Sequence, residues 1–328
     1  MKIAIYKDTF ANNRGADIAV RNLAAGLEER GHAVTLFDKM EFVVKVRGDY
    51  DVIISTGTNE ILDLAKVEGL PPIVQQFHTD PRYPFRHWIK RWRRNCAIKA
   101  ALEKVSAYQV LTPLHVGRLK KVLGCIPEGK IVAIGNWSGY ERVGLPVCAA
   151  EKTIIFPGAI NKDKNHALLV DAFAEIAAGF PDWQVHIYGK GKARDESALA
   201  KRIKSRKLGD RILLKGYADL TEAYSKCAFV AFPSKTEGFP LTIIDAAMFG
   251  KPSVTIEDWI GTCSAGGGIS GGASVRSFAG ALCRLMADVE LRVGIGKAAQ
   301  EFCRRKYSKN GIISSWERLL AEAAGVHA

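Results

Sequence analysis

The sequence lacks the features of membrane-spanning, secreted and disulfide-rich proteins. It has no uninterrupted apolar run of about 18 residues, so we expect no membrane-spanning helix. The segment MKIAIYKDTF is too short, and too polar after Tyr6, to act as a secretory signal. The 7 cysteines stand singly without a CxxC pair, which argues against a disulfide framework and against a zinc site. We therefore predict a cytoplasmic protein.

What the sequence has is a globular composition and an excess of positive charge. Hydrophobic residues make up 48% of the chain and charged residues 25%. The formal net charge of +13 predicts an acidic partner, which could be a nucleotide phosphate, an anionic lipid or a nucleic acid. The first half is neutral apart from residues 82–104, where eight residues are basic and one is acidic.

Short apolar strands alternate with helices along the whole chain. This alternation is typical of α/β domains with a parallel, doubly wound sheet. The length of 328 residues suits two such domains of roughly 150 residues each. We expect two sheets with a cleft between the domains at the carboxyl ends of the strands. The predicted strands are KIAIY, AVTLF, DVIIS, IVQQF, AYQVL, KIVAI, TIIFPG, QVHIYG, RILLKG, FVAFPS and PSVTI. The segment SAGGGISGG is expected to be a loop.

The stretch FPSKTEGFPLTIIDAAMFGKPSV carries the most informative pattern. It predicts the end of a strand, a polar turn and a helix, with Glu237 in the turn and Asp245 about two turns into the helix. Two carboxylates in this arrangement indicate a site. The alternative is an ordinary turn that leads into a buried helix.

Three further segments place polar side chains where strands pass into helices. In the turn after KIAIY, Arg14 and Gly15 could receive an anion at a helix N-terminus, or the turn could be ordinary, with Asp17 as a cap. His78 follows IVQQF and could face the cleft, or it could be a structural histidine held by Asp80.

Lys162 and Lys164 precede the first helix of the second half. A cation at a helix N-terminus would suit a diphosphate, whereas the alternative is two lysines that merely solvate a loop.

Residues 86–100 predict a basic helix with one aromatic face. That face holds Trp88, Ile89, Trp92, Cys96 and Ala100, and the residues largely off it are Arg86, Lys90, Arg91, Arg93 and Arg94. Tryptophan flanked by arginine and lysine suits the headgroup region of an anionic bilayer. Alternatively, the tryptophans could pack into the core. A nucleic-acid groove is less favoured because no binding module accompanies the charge.

The string EGFPLTIIDAAMFGKPSV resembles a hallmark of the retaining, nucleotide-sugar-dependent glycosyltransferases of the GT-B fold, family 4 (glycosyl transferases group 1). The family has two acids separated by seven residues in strings such as EGFGLPLLEAMACGKPVV. Here Asp245 stands for the second glutamate, and Asn136 in IGNWSGY falls at the NGVD turn of the family. The resemblance covers nearly the whole chain and is strongest over residues 156–255.

The resemblance implies two Rossmann-like domains that face each other across a cleft. Residues 1–145 would form the acceptor domain and residues 146–305 the donor domain. Residues 306–328 would form a helix that packs back on the first domain.

The resemblance also implies roles for single residues. Glu237 would lie near hydroxyls of the donor sugar, Asp245 would hold the ribose and Lys164 the diphosphate. The usual arginine five residues before Lys164 is Ala159 here, and Lys162 or Arg14 could supply that charge. The implied catalytic residues are His78 and Glu237. The implied donor-binding residues are Arg14, Gly15, Lys162, Lys164, Gly216, Gly238, Phe239, Pro240, Leu241 and Asp245. Membrane or acceptor contacts are assigned to Trp88, Arg91, Trp92, Arg93 and Arg94.

The implied reaction is transfer of a sugar from a UDP-, GDP- or ADP-sugar to an acceptor hydroxyl, with the anomeric configuration retained. It would need no metal and no cofactor, because cationic side chains and helix N-termini neutralise the leaving diphosphate. We expect a role in surface polysaccharide, lipopolysaccharide or glycolipid synthesis at the inner face of the membrane. The alternatives are a non-catalytic nucleotide-sugar binding subunit and a sugar-nucleotide epimerase or hydrolase.

Overall fold

A computed structural model describes residues 1–8, 15–38, 49–85, 92–124, 129–140 and 151–326. The chain divides into two compact units. The first unit comprises Met1–Asn136 and Lys309–Ala328, and the second unit comprises Trp137–Ser308. The helix at the C-terminal end of the chain is therefore part of the first unit.

The first unit is built on a parallel sheet of six described strands in the order β2-β1-β3-β4-β5-β6. The strands are β1 (Lys2–Tyr6), β2 (Ala33–Phe37), β3 (Val52–Ser55), β4 (Ile73–Gln76), β5 (Ala107–Val110) and β6 (Ile131–Ala133). Its described helices are α1 (Gly15–Glu28), α2 (Thr58–Leu64), α3 (Trp92–Leu102), α4 (Pro113–Leu123) and α11 (Lys309–Ala324), with a 3-10 turn at Tyr83–Phe85. Strand β1 is apolar throughout after Lys2 because helices cover both faces of a parallel sheet.

Helix α11 is held to the first unit by packing and by two polar contacts. The side chains of Trp316, Leu319 and Leu320 are buried. Nε2 of His32 lies 3.1 Å from Oε1 of Glu317, and Nζ of Lys309 donates to Glu29 at 2.6 Å.

The second unit has a parallel sheet of six described strands in the order β12-β11-β10-β7-β8-β9. The strands are β7 (Thr153–Pro157), β8 (Gln184–Tyr188), β9 (Ile212–Gly216), β10 (Phe229–Phe232), β11 (Ser253–Thr255) and β12 (Gly268–Ser270). The helices are α5 (His166–Ile176), α6 (Ala193–Ser205), α7 (Leu220–Lys226), α8 (Leu241–Met248), α9 (Val275–Ala287) and α10 (Val289–Lys306), with a 3-10 turn at Ala177–Gly179. Both units have the predicted doubly wound parallel α/β architecture, which is confirmed.

Two local predictions were wrong. The segment SAGGGISGG contains a strand, because Ile269 pairs with Val254 and its side chain is buried, whereas the glycines around it are typical of a loop. Asp245 is the fifth residue of α8, little more than one turn from its start, because the helix begins only at Leu241, after Pro240.

The order of the second sheet decides where a site can form. The chain moves outward from β7 through β8 to β9 and then returns to β10 on the other side of β7. The loops that follow β7 and β10 therefore leave neighbouring strands in opposite directions. In open α/β sheets this switch point is where ligands bind.

Candidate functional site

The loops after β7 and β10 meet through one ion pair. Nζ of Lys164 lies 2.6 Å from Oε1 of Glu237, and the glutamate is 8% exposed. The same ammonium lies 4.8 Å from the centre of the Phe232 ring, at the end of β10. The structure thus brings together the two residues for which the sequence predicted diphosphate and donor-sugar contacts.

The turn that carries Lys164 is fixed on both sides. The backbone N–H of Lys164 donates to the side chain of Asn161, 3.0 Å away, and the N–H of Lys235 donates to the carbonyl of Asp163 at 2.8 Å. Asn165 adopts a left-handed conformation, with φ of 55°, immediately before α5. Lys162 is exposed on this turn, and Ala159 presents only an exposed methyl group.

The loop after β7 is also joined to the loops after β8 and β9. The N–H of Gly158 donates to Tyr188 at 2.8 Å, and the N–H of Gly189 donates to Gly216 at 2.7 Å. Gly189 has φ of 136°, and a Cβ atom there would lie 2.1 Å from the carbonyl oxygen of Gly158. Gly216 therefore takes part in the backbone contacts that set the shape of this edge of the sheet.

The segment between the two acids leads into α8. Gly238, Phe239 and Leu241 are half-buried, and Pro240 is buried. The ring of Phe239 packs edge-on against Tyr307, with 5.3 Å between the ring centres. This contact fixes the loop after Glu237 against the end of α10.

Asp245 has a partner that sequence reasoning missed. Its Oδ1 accepts a hydrogen bond from Oγ of Ser138 at 2.6 Å. Burial raises the pKa of Asp245 to about 6, while the Ser138 hydrogen bond acts in the opposite direction. The family resemblance concerns Asn136 in the segment IGNWSGY. Ser138 and Asp245 lie 107 positions apart, and no sequence pattern links them.

In the first unit, His78 follows β4 and is half-buried. Its Nε2 has no hydrogen-bond partner among the described residues. Burial and the ammonium of Lys7 lower the pKa of His78 to about 4, against an opposing effect of Asp17, so the imidazole is neutral near pH 7. A neutral ring can offer a hydrogen-bond donor or acceptor to a ligand.

For the first unit, the sequence left open that Asp80 holds His78 and that Asp17 caps the first helix. The structure shows neither arrangement. The carboxylate of Asp80 pairs with Arg82 and Arg118, at 2.6 and 2.9 Å. Asp17 lies inside the first turn of α1, where it pairs with Lys7 at 3.1 Å. Gly15 is exposed at the start of α1, and Arg14 lies outside the described residues.

The described part of the basic helix is α3. Trp92 is 57% exposed, and Arg93, Cys96 and Ala100 are exposed with it, so Trp92 is not a core residue. Arg94 donates to Oδ1 of Asn59 at 2.8 Å and is thereby held against α2. Trp88 and Arg91 lie outside the described residues.

The described residues contain neither a candidate membrane span nor a candidate metal cluster. None of the described helices is both long and apolar enough to cross a bilayer. Within the same ranges, histidine, cysteine, aspartate and glutamate side chains form no group of three that could hold a metal ion.

Most of the second unit matches a known protein family. Residues 151–288 match the family model described as glycosyl transferases group 1, and they include the Lys164–Glu237 pair and Asp245. These residues form a group 1 glycosyltransferase domain. The predicted resemblance to glycosyl transferases group 1 is therefore confirmed.

Relatives of this glycosyltransferase domain are longer proteins. An exopolysaccharide phosphotransferase of Streptomyces coelicolor is 30% identical over 178 residues, which is 52% of this chain and 19% of the relative. An N-acetylgalactosaminyltransferase of Campylobacter jejuni that acts on a diphospho-undecaprenol-linked sugar is 36% identical over 101 residues, 30% of this chain and 26% of the relative. The matched regions thus span about a fifth to a quarter of these two curated relatives.

A solved structure agrees with the fold of the whole chain. The structure of Anabaena HepE in complex with UDP matches with a TM-score of 0.82 at 15% identity, over 98% of this chain and all of the other. The likeness supports a GT-B fold for the chain.

Proposed function

We propose that this protein is a retaining glycosyltransferase that moves a sugar from a nucleotide-diphosphate sugar to an acceptor hydroxyl. The observation that supports this most directly is the Lys164–Glu237 pair at the switch point of the glycosyltransferase domain. It places a cation and a carboxylate side by side in the loops where a diphosphate and its sugar would meet.

Each group has a separate chemical role in this proposal. The Lys164 ammonium neutralises charge on the diphosphate as the bond to the sugar breaks. Glu237 accepts hydrogen bonds from hydroxyls of the donor sugar, and Asp245 accepts from the ribose. His78, neutral near pH 7, contacts the donor sugar. Neither a metal nor a cofactor takes part.

The relatives suggest the substrate class. The Streptomyces relative is named for an exopolysaccharide, the Campylobacter relative for a lipid-linked sugar, and HepE was solved with UDP. We propose a UDP-sugar donor ahead of GDP- and ADP-sugars, and a glycan or lipid-linked acceptor at the cytoplasmic face of a membrane. The exposed Trp92 and Arg93 of α3 would contact anionic headgroups there.

A thermal-shift screen over UDP-, GDP- and ADP-sugars tests donor binding. One nucleotide class should raise the melting temperature of the wild type. Lys164→Met should lose most of this shift, whereas Lys201→Met, which changes an exposed lysine of α6, should keep it. If no nucleotide sugar stabilises the wild type, or if Lys164→Met responds like the control, the proposal is wrong.

A non-catalytic binding subunit is the second candidate, because Ala159 offers only a methyl group where the family has an arginine. Product analysis with the stabilising donor and a panel of lipid-linked acceptors separates the two. Transfer, with the anomeric configuration of the product read by NMR, supports the enzyme. Stabilisation with no turnover supports the subunit, and donor consumed without acceptor indicates an epimerase or hydrolase.

Sedimentation with vesicles tests the membrane contact. Wild type should bind vesicles of phosphatidylglycerol more than vesicles of phosphatidylcholine, and salt should weaken this binding. The variant with both Trp92→Ala and Arg93→Ala should bind less, while Lys297→Ala, an exposed change on α10, should not. Equal binding of all three proteins would rule out a contact through α3.

A further inference from the structure

The hydrogen bond between Ser138 and Asp245 joins the start of the second unit to α8. Ser138 is 2% exposed, and its Oγ lies 2.6 Å from Oδ1 of Asp245. Such a short contact between a hydroxyl and a carboxylate is typical of a charge-assisted hydrogen bond. The two residues lie within the same unit, which contains Trp137–Ser308.

The direction of this hydrogen bond follows from the chemistry of the two groups. An ionised carboxylate only accepts, so the single proton of the Ser138 hydroxyl is donated to Asp245. The N–H of Tyr140 donates to Oγ of Ser138 at 3.0 Å and occupies one of its lone pairs. Ser138 therefore acts on Asp245 as a donor with a fixed orientation.

Aromatic packing holds this segment in place. The ring of Tyr140 contacts Tyr224 and Phe249 edge-on, with 5.9 and 5.1 Å between ring centres. Tyr224 and Phe249 are stacked on each other at 5.5 Å. The position of the Ser138 hydroxyl is thus set by rings from α7 and from the residue after α8.

Asp245 sits in a poorly solvated place without a paired cation among the described residues. The titratable group that faces it is the phenol of Tyr224, whose pKa burial and the Asp245 charge raise well above the usual value, so it stays neutral. Ser138 is the hydrogen-bond donor that the structure gives to the carboxylate. This leaves Oδ2 of Asp245 for a ligand.

We propose that Ser138 is a positioning residue for ribose recognition: its hydroxyl holds Oδ1 of Asp245, so that Oδ2 alone accepts from one of the two ribose hydroxyls of a nucleoside diphosphate. This inference rests on the proposed function and makes it more specific. The carboxylate accepts from one hydroxyl of the ribose diol, and the other hydroxyl contributes little to binding.

Calorimetric titration of the wild type with deoxynucleotides tests whether a single ribose hydroxyl is recognised. The ligands are the nucleoside diphosphate found by the screen and its 2′-deoxy, 3′-deoxy and 2′,3′-dideoxy analogues. One monodeoxy analogue should bind like the parent, and the other should bind as weakly as the dideoxy compound. Equal losses for the two monodeoxy analogues would overturn the inference.

Substitutions at Ser138 test whether its hydroxyl positions Asp245. Ser138→Ala should weaken binding of the parent nucleotide by about tenfold, because the freed carboxylate loses its orientation. It should leave binding of the dideoxy analogue unchanged, and Ser138→Thr, which keeps the hydroxyl, should restore most of the affinity. If Ser138→Ala weakens the parent and the dideoxy analogue equally, the role of Ser138 is only structural and the inference fails.

The pH profile adds a readout that a structural role would not move. Binding of the parent relative to the dideoxy analogue should fall as pH drops through the region near 6, because protonated Asp245 no longer accepts through both oxygens. Ser138→Ala should move this midpoint upward, and Asp245→Asn should abolish it. An unmoved midpoint counts against the inference. If the wild type binds no nucleotide at all, the proposed function fails; if it binds but these contrasts are missing, only the inference fails.

Discussion

Nζ of Lys164 and Oε1 of Glu237 lie 2.6 Å apart although the two residues are 73 positions apart in sequence. The side chain of Glu237 is 9% exposed and that of Lys164 is 22% exposed, so water screens this pair only partly. In the proposed function, a diphosphate bound to Lys164 shares the ammonium with Glu237, so the pair would link donor binding to the stability of the second unit.

A double-mutant cycle on this pair should show strong coupling. Lys164→Met and Glu237→Gln should each lower the free energy of unfolding by about 1–3 kcal/mol, because each leaves a poorly hydrated charge without its partner. The double variant should lose less than the sum of the two losses, with a coupling energy of about 1–2 kcal/mol. Urea unfolding of the four proteins measures this.

Strict additivity in that cycle would show that the two side chains do not interact in solution. The pair Lys226→Met and Glu222→Gln is the control, since these residues make an exposed ion pair within α7. Its coupling should be clearly smaller because water screens both charges.

The glycine at the end of β8 should tolerate no side chain. Gly189→Ala should cost about 3 kcal/mol or more of unfolding free energy, because its Cβ would meet the carbonyl oxygen of Gly158 at 2.1 Å in a left-handed backbone region. It should also weaken nucleotide binding, since the loop after β7 carries Lys164. Gly280→Ala, in α9 with nothing within 4 Å, should instead stabilise by about 0.5–1 kcal/mol. Similar unfolding midpoints for the two variants would contradict this.

Acid should weaken the contact between α5 and α6. Burial alone would raise the pKa of Asp171, but hydrogen bonds and charges from Arg202 and Arg206 outweigh it and hold the pKa below 3.8. Since the folded pKa is the lower one, this stability is present above the ordinary value and is lost as pH falls through the folded pKa. Asp171→Asn should therefore destabilise by about 1 kcal/mol at pH 7 and less at pH 3.

Urea midpoints at these two pH values measure the effect of Asp171→Asn. Asp182→Asn is the matched control, because Asp182 pairs with Lys152 on the exposed surface. An Asp171→Asn loss that does not shrink at pH 3 would mean that packing, rather than charge, holds the two helices together.

The buried histidine at the start of α5 should make the second unit sensitive to mild acid. Burial and the nearby Lys164 charge lower the pKa of His166 to about 4, and its ring stacks on Phe156 with 4.3 Å between centres. Between pH 6.5 and about 4 the imidazole is protonated in the unfolded chain but neutral in the folded chain. The free energy of unfolding therefore decreases as the pH is lowered through this range. In His166→Leu this part of the fall should be absent, as urea unfolding at pH 7.5 and 5 would show. An equal fall in both proteins would exclude His166 as its source.

Most of the strands could be predicted from the sequence because each is a short apolar run bounded by turn residues. Strand β12 could not be predicted, because the three glycines before Ile269 are typical of a loop and Ile269 is the one side chain of this strand that is buried. The position of Lys164 relative to Glu237 follows from the strand order, which the sequence shows only indirectly.

Single contacts of the site were harder to predict than its location. Nothing in the spacing of Ser138 points to Asp245, because the contact depends on how Tyr140 packs between α7 and α8. Likewise, the alternation of residues in α3 could not decide whether Trp92 enters the core, since Asn95, a polar residue, occupies the buried face instead. Tertiary packing settles such questions.

Because it contains helix α11, the first unit is assembled from two distant parts of the chain. This determines the order in which the two units can finish folding during synthesis. Residues 1–136 emerge early, yet the surface against which Trp316 and Leu320 pack stays uncovered until the last helix has been made. All of the second unit, up to Ser308, has been synthesised before that helix appears. The unit that is begun first is therefore completed last.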